Sequence, residues 1–156
     1  MPTLFRKYLT FLLLVLFSAA AAHAQTKAAA GKTIDLSKIK NTEAAKAFDD
    51  AKESEKLVLL VFGAVWCTYC RYIEEGAMQD AAVKRTLDGF VKVDIDVDEN
   101  PDDAQLFDSR PASRGGSGIP AMVVFTPDGR ELGRLLGYTT ARPFNLFLKG
   151  TLKKRK

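Results

Sequence analysis

The chain has 156 residues, 47% of them hydrophobic and 27% charged, which suits one globular domain with a buried core and is short for two. Its formal net charge of +4 is halved once the first two dozen residues, which hold Arg6 and Lys7 but no acid, are set aside. A charge so small gives no ground for nucleic-acid binding, and the Lys153-Lys154-Arg155-Lys156 tail reads as a solvated end.

Arg6 and Lys7 are followed by an apolar run from Leu9 to Ala22, and then by Ala22-His23-Ala24, with small residues at the two positions a signal peptidase reads. The run is shorter than the roughly 20 residues needed to span a bilayer, so residues 1–24 are expected to be a cleaved signal peptide and the protein to be periplasmic. No cysteine follows the run, which excludes lipid attachment there. Cleavage would remove His23, the only histidine, and with it any Cys–His nucleophilic pair or Cys/His zinc site.

The Ala- and Lys-rich stretch from Gln25 reads as a flexible lead through residue 40, with the domain proper over 41–152. Asn41 or Thr42 can cap a helix in which Ala44, Ala45, Ala47, Phe48 and Ala51 recur at helical spacing. Leu57 to Phe62 is a continuous apolar run, as in a strand buried on both faces. A helix is expected from Cys67 to about Met78, weakened at Gly76, and Asp80 can cap a further turn or two through Leu87. Phe90 to Ile95 reads as a strand, and Pro101 opens a helix to about Phe107 with Asn100 as its cap. Asp108 to Gly118 reads as a loop. Ala121–Phe125 and Glu131–Leu136 form a hairpin about Pro127-Asp128-Gly129, and Thr140 to about Leu152 is the last helix. Parallel crossovers followed by an antiparallel hairpin make an α/β fold, a mixed sheet sandwiched by helices.

Cys67 and Cys70 are the only two cysteines. As a structural staple their four-residue ring would contribute only about 2 kcal/mol, against roughly 4.7 for a hundred-residue loop. A redox role is therefore the stronger reading. Cys67 falls where a strand ends and a helix begins, so unpaired backbone N–H groups and the helix dipole favour its thiolate. Cys70, one turn further in, is expected to be the less exposed. Cys67 is thus read as the nucleophile and Cys70 as the resolving thiol.

Val65-Trp66-Cys67-Thr68-Tyr69-Cys70 after a buried strand, with Gly118-Ile119-Pro120-Ala121 before a later one, resembles the thioredoxin superfamily. The likeness is closest to the C-terminal domain of DsbD-type disulfide reductases and to small exported thioredoxin-like proteins, and it spans roughly Ala44 to Leu148. It implies a cis peptide before Pro120, stacked beside the cysteines, and a substrate-binding role for Trp66, Ile119 and Pro120. Ile119 would offer its backbone to an extended substrate peptide. Protein or small-molecule disulfides are the implied substrates of a monomer without cofactor or metal, and a membrane electron donor is a candidate partner. In two respects the sequence departs from the pattern. Many thioredoxins carry a buried Asp six residues before the first cysteine, where this chain has Val61. Glu74 and Glu75 are the carboxylates nearby, and they read more simply as a solvated helix face. The loop from Arg110 to Ser117 is also longer than usual. Thr68-Tyr69 between the cysteines does not decide between a reductant and a net oxidant, and a non-catalytic binding module of the same fold is the rival from another class.

Overall fold

The computed structural model describes residues 31–155. The expected signal peptide and the start of the lead lie outside them. Five helices, α1 (Thr42–Glu53), α2 (Thr68–Glu75), α3 (Ala81–Leu87), α4 (Pro101–Leu106) and α5 (Ala141–Lys153), accompany four strands, β1 (Leu57–Gly63), β2 (Phe90–Asp96), β3 (Ala121–Phe125) and β4 (Glu131–Leu136). The strand order is β2-β1-β3-β4. β2 runs parallel to β1, whereas β3 is antiparallel to both β1 and β4. This is the mixed, helix-covered sheet anticipated from the sequence.

β1 is central because it can bury side chains on both faces. Val58, Leu60 and Phe62 point into one core with Ala44, Ala47, Phe48 and Ala51 of α1, beside Phe107 and Phe125. Leu57 and Leu59 point into the other with Ile73 of α2, Val83 of α3, and Phe144 and Leu148 of α5. The period-2 alternation of a strand thus sends successive residues to opposite layers. Burying each such Leu or Phe stabilises the fold by about 1.5–3 kcal/mol. Among the described residues no helix is long and apolar enough to cross a membrane.

Several local expectations are met in detail. Asn41 Oδ1 accepts the Ala44 N–H at 2.8 Å, and Asp80 Oδ1 accepts those of Ala82 and Val83 at 2.8 and 3.1 Å. The helix after the cysteines is shorter than expected. It stops at Glu75, and Ala77–Gln79 follows as a separate 3-10 turn beyond Gly76. Asn100 does begin α4, but its side chain does not cap it. It donates instead to the Asp96 carbonyl at 2.9 Å and accepts from Asn41 Nδ2 at 2.9 Å.

The expected flexible lead is docked from residue 32 onward. Ile34 N–H donates to the Gly129 carbonyl at 2.9 Å, and Glu131 N–H to the Lys32 carbonyl at 2.9 Å. Gly129 is required at this contact, since its φ is +86° and an added Cβ would come within 2.8 Å of the Ile34 oxygen. Further on, the fully buried carboxylate of Asp103 accepts the backbone N–H groups of Lys40 and Asn41 at 2.8 and 2.6 Å. Composition alone concealed these anchors because their partners lie some 60 or more residues away, the Lys40–Asp103 pair being separated by 63.

Candidate active site: the Cys67–Cys70 pair

β1 ends at Gly63, the chain turns through a Cys67 N–H to Ala64 carbonyl bond of 2.9 Å, and α2 begins at Thr68. This junction carries both cysteines, joined as a disulfide with their Cα atoms 5.3 Å apart. Cys67 is the N-cap of α2, and its Sγ accepts the Cys70 backbone N–H at 3.2 Å. The sulfur therefore takes the place a Ser or Asp oxygen would fill in an ordinary cap. A negative charge arising on it would meet an oriented N–H donor and the positive end of the helix dipole.

Cys70 sits over Gly63. A Cβ added to that glycine would lie 3.3 Å from the Cys70 sulfur and 3.5 Å from its Cβ, so a side chain at the end of β1 would press on the second cysteine. Beside it opens a cavity of about 360 Å³ with an apolar floor of Val61, Ile73, Met78 and Met122, while Glu74 and Asp94 are among the residues at its wall. This cavity reverses one expectation. Cys67 is the more covered cysteine, 6% exposed, whereas Cys70 is half-buried. Depth along the helix is outweighed by the open space beneath the second cysteine.

The other expected site residues divide. The Ile119–Pro120 peptide is cis, and Pro120 lines the same cavity as Cys70. Its carbonyl is taken by the Gly137 N–H at 2.8 Å. Ile119 packs against the α1-side core, and neither its N–H nor its carbonyl bonds another backbone group among the described residues. Trp66 stands out from the surface, 59% exposed, and its Nε1–H donates to Asp98 Oδ2 at 2.6 Å. Val61, at the position where an acid was sought, lies beside Asp94 in the β1–β2 register.

Some neighbours of the centre escaped sequence reasoning. Tyr69 meets Tyr138 at a tilt and Tyr72 edge-on, ring centroids 5.9 and 6.3 Å apart, as an exposed aromatic cluster on and beside α2. Tyr69 and Tyr72 are three apart on one helix, which was readable; Tyr138 arrives from the β4–α5 connection, which was not. Asp98 lies in an acidic stretch after β2 with no spacing to mark it.

The family model for the thioredoxin-like domain matches residues 44–151. The chain belongs to the thioredoxin-like family. It carries the CxxC pair of that family of disulfide oxidoreductases, closed as a disulfide. It is 30% identical over 117 residues to the thiol:disulfide interchange protein DsbD of Vibrio cholerae, a match covering 72% of this chain and 19% of that protein. Thus the chain spans only about a fifth of that relative's length. The oxidised C-terminal domain of DsbD from Neisseria meningitidis superposes with a TM-score of 0.54 and 25% identity, covering 72% of this chain and 97% of that domain. A disulphide isomerase from Xylella fastidiosa gives a TM-score of 0.57 at 29% identity, covering 69% of this chain and 87% of that one. The resemblance in the residues around Cys67 and Pro120 is thereby borne out at the level of family and fold.

Proposed function

We propose that this thioredoxin-like chain is exported to the periplasm and there reduces or exchanges disulfides of other proteins through Cys67 and Cys70. The observation that carries the reading is the Cys67 sulfur at the α2 N-cap, hydrogen-bonded to the Cys70 N–H, with Pro120 lining the cavity beside Cys70. In the reduced protein the Cys67 thiolate attacks one sulfur of a substrate disulfide. A mixed disulfide forms and the other substrate sulfur leaves as a thiolate. The Cys70 thiolate then attacks the Cys67 sulfur, the second substrate thiolate leaves, and the Cys67–Cys70 bond closes. Two electrons pass to the substrate, and a dithiol donor, a membrane protein being a candidate, must return them. The free backbone of Ile119 suits pairing with an extended substrate segment, and Trp66 and Pro120 are the other residues expected to meet it.

The test is a pair of traps. Cys70→Ser is expected to accumulate mixed disulfides with substrate proteins, because Cys67 still attacks and nothing resolves the product; Cys67→Ser is expected to accumulate few. Equal trapping by the two would contradict the division of roles. Equilibration with glutathione then fixes direction, a potential well below that of the glutathione couple marking a reductant and one well above it a net oxidant. Export is tested by N-terminal sequencing of protein recovered from its native host. The mature chain is expected to begin at or near Gln25, and retention of residues 1–24 in the membrane fraction would refute cleavage.

A further inference from the structure

The loop between α4 and β3 is tied to the redox centre by one carboxylate. Asp98, just beyond β2, accepts the Trp66 indole N–H on Oδ2 at 2.6 Å, while its Oδ1 lies 2.8 Å from Arg114 Nη2. Arg114 belongs to the 3-10 turn Ala112–Arg114 within the loop. That loop is closed on itself. Gly118 N–H donates to the Arg110 carbonyl at 3.0 Å, Ser117 Oγ donates to Asp108 Oδ2 at 2.8 Å, and Arg114 N–H donates to the Pro111 carbonyl at 2.9 Å. Gly116 is needed for the closure, because an added Cβ would fall 2.2 Å from the Arg110 oxygen. The closed loop leads directly into Ile119 and Pro120. Its C-terminal end therefore delivers Ile119 and Pro120, and Arg114 in its turn reaches back to the carboxylate that holds the tryptophan.

We propose that Asp98 is a positioning residue that holds the Trp66 indole and, through Arg114, the 110–117 loop in one arrangement, so that the two walls meeting a protein substrate are set together. The proposal rests on the thiol–disulfide exchange reading for its kinetic consequence but not for its spectroscopic one. A single disulfide-bearing segment would have to lie between the indole and the loop-borne Ile119. With the latch broken, that segment meets an indole free to reorient and must order it on binding, a cost that falls on association with a protein substrate. Exposed ion pairs contribute little, so the Arg114 arm is expected to matter less than the charge-assisted bond to the indole.

Trp66 is the only tryptophan, so fluorescence reports its surroundings without ambiguity. In the full chain, Asp98→Ala is expected to alter the emission of both the oxidised and the reduced protein. It should raise KM for insulin, with dithiothreitol as reductant, roughly fivefold while kcat moves less than about twofold. Asp98→Asn keeps an acceptor for the indole but loses the charge, so it should preserve the emission and match Arg114→Ala, whose KM rises about twofold. Arg114→Ala added to Asp98→Ala should do nothing further. An Asp98→Ala protein with wild-type emission overturns the proposal, and so does a combined variant in which the Arg114 effect is undiminished. Failure of the wild-type chain to reduce insulin would refute the exchange reading instead, and the emission of Asp98→Ala would still decide the latch.

Discussion

The two sulfurs of the redox pair are three residues apart in sequence and sit in unlike surroundings. Cys67 is covered, at the head of a helix, with a backbone N–H aimed at its sulfur. Cys70 is half-buried over a glycine and borders a largely apolar cavity, and among the described residues no side chain is bonded to it except its partner. A negative charge is therefore supported on one sulfur and left to its own solvation on the other. Position in a helical turn does not by itself say which sulfur is the more exposed; the backbone donor at Cys67 is what distinguishes the two surroundings.

The largest effect should come from removing either sulfur. Cys67→Ser is expected to lower exchange by about a thousandfold or more, since the hydroxyl that replaces the thiolate is not a competent nucleophile at neutral pH. Cys70→Ser should keep the first attack and lose turnover, which single-turnover kinetics with a model disulfide would separate. Similar first-attack rates for the two variants would erase the asymmetry.

Next in size is Val61→Asp, which puts a carboxyl into the floor of the cavity beneath Cys70 and beside Asp94 in the neighbouring strand. Burial and the like charge of Asp94 both favour its neutral form. The variant is expected to lose about 2–3 kcal/mol of stability while resolving mixed disulfides faster near neutral pH, where the new group exchanges a proton with Cys70. Thermal melts and stopped-flow exchange from pH 6 to 9 read both signs. Unchanged resolution in a folded variant would mean that another group or water already serves Cys70.

Smaller still is Gly63→Val. A branched side chain there meets the Cys70 sulfur, already 3.3 Å from the position of a bare Cβ. The expected cost is about 1–2 kcal/mol, with the step that depends on Cys70 slowed and the first attack by Cys67 less affected. Equal slowing of both would show that the strand end, rather than Cys70, had moved.

Much of this was legible in the sequence because it is local. The apolar run of β1, the Asn41 and Asp80 caps, the Pro127-Asp128-Gly129 turn and the CxxC spacing are decided by residues within a few positions of one another. The cis peptide before Pro120 was not readable from spacing and came only with the family resemblance. What stayed hidden depends on contacts distant in sequence. The segment from residue 32 looked featureless, yet it is held by Gly129 and Asp103. Asn100 had the right residue type for a cap and spends its side chain on Asn41 and Asp96 instead. The Arg110–Ser117 loop stood out by length alone, and its connection to Trp66 requires Asp98 from another part of the chain. The relative exposure of the cysteines was misread because helix depth was reasoned without the cavity beneath Cys70.

The division of labour between the sulfurs is tested most directly by alkylation of the reduced protein as a function of pH, with the modified cysteine identified by mass spectrometry. The N-cap geometry predicts that Cys67 is modified first and that its rate reaches half-maximum at a lower pH than that of Cys70. Coincident profiles, or Cys70 reacting at the lower pH, would contradict the assignment of Cys67 as the attacking thiolate.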